Sequence, residues 1–278
     1  MPYSAEISRA NPTCFVFLID QSGSMADNFG MEGAGRKADF VADVVNRTLH
    51  DIVIRCTKTE EIRNYYHVAI LGYGGSVQSA LLGPLAGRQI VPISEVAETP
   101  ARLEVRSKKT PDGAGGLVEQ QVRFPVWVDA QSNGGTPMCE ALRQANQLIS
   151  QWVAEHRNGF PPTVLHLTDG ESTDGDPTSI GKEILSLSTS DGAALVLNCH
   201  VSSRASSKLE YPADATNLPD DFARTLFNIS STLPENFRKA ADQIGVKVSD
   251  GSRGFVFNGD PTSVVQFFEI GTRPANLR

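Results

Sequence analysis

The first strong hydrophobic signal along the chain is an unbroken run, Cys14, Phe15, Val16, Phe17, Leu18 and Ile19, which stops at Asp20 and gives way to Gln21, Ser22, Gly23 and Ser24. A strand buried on both faces reads as a continuous apolar run, so this one predicts a central strand of a parallel sheet. Residues 36–56 carry Phe40, Val41, Val44, Val45, Leu49, Ile52 and Val53 at three- and four-residue spacing, the pattern of an amphipathic helix. A second strand is predicted at about 66–73, and Gly74-Gly75 turns it tightly into residues 77–82. A turn that short cannot hold a crossover, so these two strands pair antiparallel. Alternation at 102–107 and 122–128, around the turn-rich residues 110–116, predicts a β-hairpin.

Beyond the hairpin the chain reads as a helix at 138–156, opened by Pro137, and then a strand at 163–168 that again ends in a carboxylate, Asp169. A helix at 177–188, a strand at 193–201, helices near 219–230 and 234–243, a strand at 254–257 and a helix near 261–270 follow. Strands alternating with helices of this length indicate an α/β fold built on a doubly wound, mostly parallel, Rossmann-like sheet, here with one antiparallel edge strand and the β-hairpin as an insertion. No repeat or low-complexity linker interrupts the 278 residues, which predicts one domain with insertions at 26–35, 84–130 and 202–218.

Composition narrows the function classes. Hydrophobic residues make up 40% and charged residues 21%, as in a folded globular chain. A net charge of −7 argues against non-specific binding to nucleic acid or to an acidic membrane surface. No apolar stretch reaches the roughly 20 residues that span a bilayer. The first six residues have neither the basic nor the apolar segment of a secretion signal. Cys14, Cys56, Cys139 and Cys199 are scattered without a C-x-x-C pair, which fits reduced core cysteines and a cytoplasmic location.

Asp20, Ser22 and Ser24 leave the end of the opening strand together. In an open α/β sheet that end faces the crevice where ligands bind, and an oxygen-only donor set suits a hard divalent cation. Taken alone, the three residues fit a plainer reading equally well, with Asp20 capping a helix and the serines serving a turn. Thr136, at a helix start after Gly135, and Asp169, at a strand end before Gly170, add two more oxygen ligands that the sheet order lets converge on Asp20. The full D-x-S-x-S, T and D set resembles the metal-ion-dependent adhesion site of von Willebrand factor A-type (VWA) domains. The resemblance runs from about Pro12 to Arg273, the insertions apart.

It implies that Ser22 and Ser24 coordinate Mg²⁺ through their hydroxyls, with Mn²⁺ or Ca²⁺ as alternatives. It implies that Thr136 binds directly or through water, and that Asp20 and Asp169 act through bound waters. It also implies a metal-dependent protein-interaction module without catalysis, in which an Asp or Glu of a partner completes the octahedron. The segments at 226–234 and 254–258 are similar to bacterial stand-alone, tellurite-resistance-associated VWA proteins, a type linked with a Ser/Thr kinase and a protein phosphatase. The alternative within the same resemblance is an adaptor for an AAA+ ATPase, as in chelatase systems; an extracellular adhesin is disfavoured by the missing signal and anchor.

Competing chemistries are weaker. A haloacid-dehalogenase-like Mg²⁺ phosphatase needs a second carboxylate two residues after the first, where this chain has Ser22. No G-x-G-x-x-G precedes a helix, no P-loop is present, and no histidine stands in a triad-like context. His166 reads as a core histidine, and Glu171, Asp174 and Asp176 as a solvated acidic rim in which Asp176 or Thr178 caps a helix, since the bidentate Glu of an EF-hand loop is missing. The three insertions are expected at the metal-bearing edge, where they would choose the partner; for the hairpin, covering the open edge of the sheet is the equal alternative.

Overall fold

The computed structural model describes residues 2–29, 35–111, 116–202 and 207–273. Its strands are β1 (Thr13–Asp20), β2 (Tyr66–Tyr73), β3 (Val77–Ser79), β4 (Val91–Pro92), β5 (Arg102–Pro111), β6 (Leu117–Val126), β7 (Thr163–Thr168), β8 (Leu195–Val201), β9 (Leu209–Glu210) and β10 (Phe255–Gly259). Its helices are α1 (Lys37–Cys56), α2 (Ile93–Glu98), α3 (Met138–Glu155), α4 (Thr178–Ser186), α5 (Asp221–Asn228), α6 (Glu235–Gln243) and α7 (Pro261–Gly271). Two-residue ribbons at 57–58/61–62 and 188–189/192–193 and 3-10 turns at Gly23–Ala26 and Gly83–Leu85 are the remaining elements among the described residues.

β1 is buried along its whole length because it lies mid-sheet with helices on both sides. The order is β9-β10-β8-β7-β1-β2-β3, with β4 also on β2. The five strands from β10 to β2 are mutually parallel. Phe15, Phe17 and Ile19 face a core shared with Val41, Val45, Leu49 and Ile52 of α1, Phe237 of α6 and Val264, Phe267 and Phe268 of α7. Cys14, Val16 and Leu18 point the other way, against Leu142, Ala145, Ile149 and Trp152 of α3, Ile184 of α4 and Leu226 of α5. Strand alternation thus feeds two apolar layers, and each fully buried Leu, Ile or Phe in them contributes about 1.5–3 kcal/mol by leaving water. All four cysteines are free and buried. Among the described residues no helix is long and apolar enough to cross a membrane.

The α/β reading holds, with three refinements. The sheet is closed by antiparallel strands at both ends, not one: β3 and β4 on β2, and β9 on β10. β9 lies inside the segment 202–218, expected to be a polar loop; Leu209 and Glu210 are too few to leave a periodic signal. The hairpin β5–β6 is longer than its alternation suggested, and its strands pair only with each other, so it adds no strand to the sheet. It rests on the flank of α1, where Arg106 pairs with Asp43 and stacks 3.8 Å over Phe124, whose ring meets His50. The expected insertions at 26–35 and around the hairpin tip include residues 30–34 and 112–115, which lie outside the described residues.

Register carries the fold to the site. Ile19 stands opposite Leu167, Asp20 opposite Tyr73 and Thr168 opposite His200. The ends of β1, β7 and β8 therefore share one edge, and Asp20 and Asp169 leave it side by side.

Candidate functional site

The site begins with a buried carboxylate that the turn after β1 wraps around. Ser22 N donates to Asp20 Oδ1 at 2.8 Å, while Thr168 Oγ1 and Asp169 N donate to Oδ2 at 2.8 and 3.3 Å. Burial, with the charge of Asp169 added, pushes the Asp20 carboxyl up to about 6 against the lowering effect of these hydrogen bonds.

The chain then turns through Ser22 and Ser24 so that their hydroxyls lie 3.1 Å apart and both face Asp169 Oδ1, at 3.4 and 2.7 Å. Four of the five expected ligands, Asp20, Ser22, Ser24 and Asp169, thus form one hydrogen-bonded cluster. Thr136 is brought beside them. Gly23 N donates to Gly134 O at 3.0 Å, and the Thr136 hydroxyl lies 3.9 Å from where a side chain on Gly170 would begin. Its loop is stitched to Thr173 in both directions, Thr136 N to Thr173 Oγ1 and Thr173 N to Thr136 O.

Glycine makes this convergence possible. A Cβ on Gly74 would stand 2.5 Å from Asn133 O and 2.6 Å from Gln21 O, and one on Gly134, at φ +75°, would stand 2.4 Å from Gly75 N. The loops after β1, after β2 and before α3 are packed backbone against backbone, which no side chain would allow.

Several neighbours escaped the sequence reading. Lys37, the first residue of α1, is buried and places Nζ 2.5 Å from Asp169 Oδ2, with side-chain exposures of 3% and 0%. A signal existed: Lys37 precedes Val41 by four residues and so lies on the apolar face of its helix, an odd place for an ammonium. His200 bonds the backbone of Asp169 through its ring and accepts from Asn258 N at 3.2 Å; burial lowers it to about 4.

Asp174 is more than rim. Its two oxygens accept from Cys139 N and Glu140 N, both at 2.9 Å, and so cap α3 from outside; those bonds outweigh burial and hold it below the usual carboxylate range. Asp176 accepts from Thr178 N and Oγ1 at the start of α4, as the capping reading had it. His166 is a core histidine, bonded on its two ring nitrogens to Tyr73 OH (2.6 Å) and Asn198 Oδ1 (2.7 Å), and lowered to about 4 by burial.

The donor chemistry fits a hard divalent cation. Oxygens from two strand ends already converge, two carboxylates share the space, and one of them is hard to ionise without a positive neighbour. Among the described residues no three His, Cys, Asp or Glu side chains gather as a metal-binding group, so hydroxyls would have to complete the set.

No protein-family model matches the chain, and no curated protein matches it either. Among solved structures it is similar to the vWF domain of the type V pili tip protein Mfa5 from Porphyromonas gingivalis, with 13% identity over 58% of this chain and 39% of that one and a TM-score of 0.33. It is similar to the pilus adhesin RrgA from Streptococcus pneumoniae, with 14% identity over 61% and 22% and a TM-score of 0.33. It is also similar to the manganese-loaded TRAP protein of Plasmodium vivax, with 11% identity over 90% and 73% and a TM-score of 0.37. The chain spans less than half the length of the pilus proteins it matches. At this level of likeness the fold is defined by its own sheet order and register.

Proposed function

We propose that this chain is a single-domain, VWA-type protein-interaction module whose Asp20, Ser22, Ser24, Thr136 and Asp169 would hold a divalent cation, Mg²⁺ first, with Mn²⁺ or Ca²⁺ as alternatives. The observation that carries the reading is the cluster in which Ser24 Oγ and Ser22 Oγ meet Asp169 Oδ1 while Asp20 is held immediately behind them. When bound, the cation supplies a Lewis-acidic position for an Asp or Glu of a partner protein. The chain's own residues do the rest. The backbone of the loop after β1 and Thr168 orient Asp20, the serines present hydroxyls at the mouth, and the glycine-packed loops hold Thr136 in place.

Binding without catalysis is part of the proposal. Ser22 stands where a phosphatase of the haloacid-dehalogenase type needs its acid, and both ring nitrogens of His166 are engaged. By the sequence resemblance the partner is a Ser/Thr kinase or protein phosphatase of a bacterial regulatory or stress-response system, with an AAA+ ATPase as the alternative. The four buried free cysteines support a cytoplasmic setting.

Affinity capture with wild type and Asp20→Ala, each with and without EDTA, tests the reading. A kinase, phosphatase or ATPase recovered by wild type alone, and lost in EDTA, is the expected result. Capture that survives both chelation and the substitution, or turnover of phosphate esters by the purified chain, would overturn it.

A further inference from the structure

Lys37 is in a costly place. Its ammonium is buried at the first position of a 20-residue helix, where the unpaired N–H groups already carry positive partial charge and disfavour a cation. A desolvated ammonium persists in a protein interior only when it is paired, and its ion pair here is with Asp169. Its root is fixed as well: Lys37 N donates to Asp27 O, Phe29 N donates to Gly35 O, and Asn28 bridges to Arg36. The ammonium is thus delivered from a pinned base to one oxygen of one expected ligand.

We propose that Lys37 is a tethered counter-cation that occupies Oδ2 of Asp169, so that the site holds a divalent ion weakly by itself and more tightly once a carboxylate joins it. This rests on the metal reading above. Two features carry it. Asp169 is divided between its oxygens, Oδ2 to Lys37 and Oδ1 to the hydroxyls of Ser22 and Ser24, so it can offer the serine side one oxygen only.

Charge counting supplies the second. Asp20 and Asp169 with Lys37 sum to −1, where the two carboxylates alone would sum to −2. A divalent ion takes the first set to +1, and an incoming carboxylate returns it to zero; without Lys37 the ion alone reaches zero and a carboxylate then adds unfavourable charge. Lys37 converts a site that is satisfied by metal into one that is satisfied by metal and acidic ligand together.

The test uses the full chain, Mn²⁺ titrations followed by electron paramagnetic resonance, and acetate as the carboxylate probe against chloride at matched ionic strength. Lys37→Gln removes the charge but keeps a donor for Asp169, and Lys37→Arg keeps the charge. A neighbouring unit charge changes binding of a single proton by about one to three powers of ten, so Lys37→Gln should hold Mn²⁺ at least about tenfold more tightly in chloride. Acetate should tighten Mn²⁺ binding to wild type and Lys37→Arg and leave Lys37→Gln nearly unchanged. Equal Mn²⁺ affinities for wild type and Lys37→Gln, or equal responses to acetate, would overturn the proposal while leaving the metal site standing. Failure of all three proteins to bind Mn²⁺ would remove the site and the proposal together. Melting curves with and without Mn²⁺ cover a destabilised variant, for which the expected result is a larger rise in Tm on adding the ion than wild type shows.

Discussion

Asp20 shows how a carboxylate is kept in a core at some cost to the fold. Its pKa of about 6 means that its charge works against folding near neutral pH. Asp20→Asn should therefore leave the chain folded and abolish divalent-ion binding. The amide can donate to Thr168 Oγ1, whose own proton then goes to Gly170 O at 2.9 Å. Calorimetric titration with Mg²⁺ beside a melting curve reads both effects, and retained binding would contradict the assignment of Asp20. His166 and His200 titrate in the opposite sense. Each is held near 4 in the fold against 6.5 unfolded, so between those values the unfolded chain binds the extra proton and stability falls as the pH drops, by up to about 1.4 kcal/mol per unit for each. Asp20, raised from 3.8 to about 6, gains stability over much of the same window. Two histidines against one carboxylate leave a net loss, so the urea midpoint should be lower at pH 5 than at pH 7; a midpoint that rises on acidification would exclude this balance. The convergence of these oxygen-bearing side chains was legible because Asp, Ser and Thr stand at strand ends and a helix start in the right order. Lys37 was not, because a cation inside an apolar helical stripe is visible to periodicity only as an exception, and nothing local says what it meets.

At the level of elements, the longer helices and the parallel strands could be read to within a few residues, since continuous apolar runs and three-to-four spacing are local signals, whereas the short α2 (Ile93–Glu98) went unread inside the segment 84–130. Pairings between distant segments carry no such signal, which is why β9 and the true seat of the hairpin emerged only from the structure. Asn46 illustrates the point. From the middle of α1 its buried amide accepts from Trp127 N and Val128 N and donates to Val128 O, pinning the segment that leaves the hairpin to the helix. That anchor lies outside the hairpin, and Ala101 N already reaches Val126 O across its base at 2.9 Å. Replacing residues 103–125 by a short Gly-Ser turn should therefore shift Tm by only a few degrees, an effect of about 1 kcal/mol, and leave Mg²⁺ affinity unchanged. Loss of Mg²⁺ binding in calorimetry would show that the ribbon supports the site after all.

For the molecule as a whole, a site formed from the ends of β1 and β7 and the start of α3 exists only when the sheet is assembled. Any ion it holds must stabilise the entire fold. At a concentration about a hundredfold above its dissociation constant, the cation should add roughly 2.7 kcal/mol, seen as a rise in Tm that Asp20→Ala lacks. A rise of the same size in both proteins would place the ion elsewhere. The sheet and the ribbon also differ in how they meet other chains. The sheet ends in strands of two or three residues, too short to template another strand. The ten-residue strands of the hairpin pair with each other on one edge only, and Leu103 and Val105 lie exposed along one of them. Arg102 and Glu104 of one strand and Glu119 and Arg123 of the other put charge of both signs along the ribbon, a device by which proteins keep open strands from sticking to their own kind. If this protein polymerises at high concentration or is captured by a foreign β-strand, the ribbon is where the added strand will form its ladder.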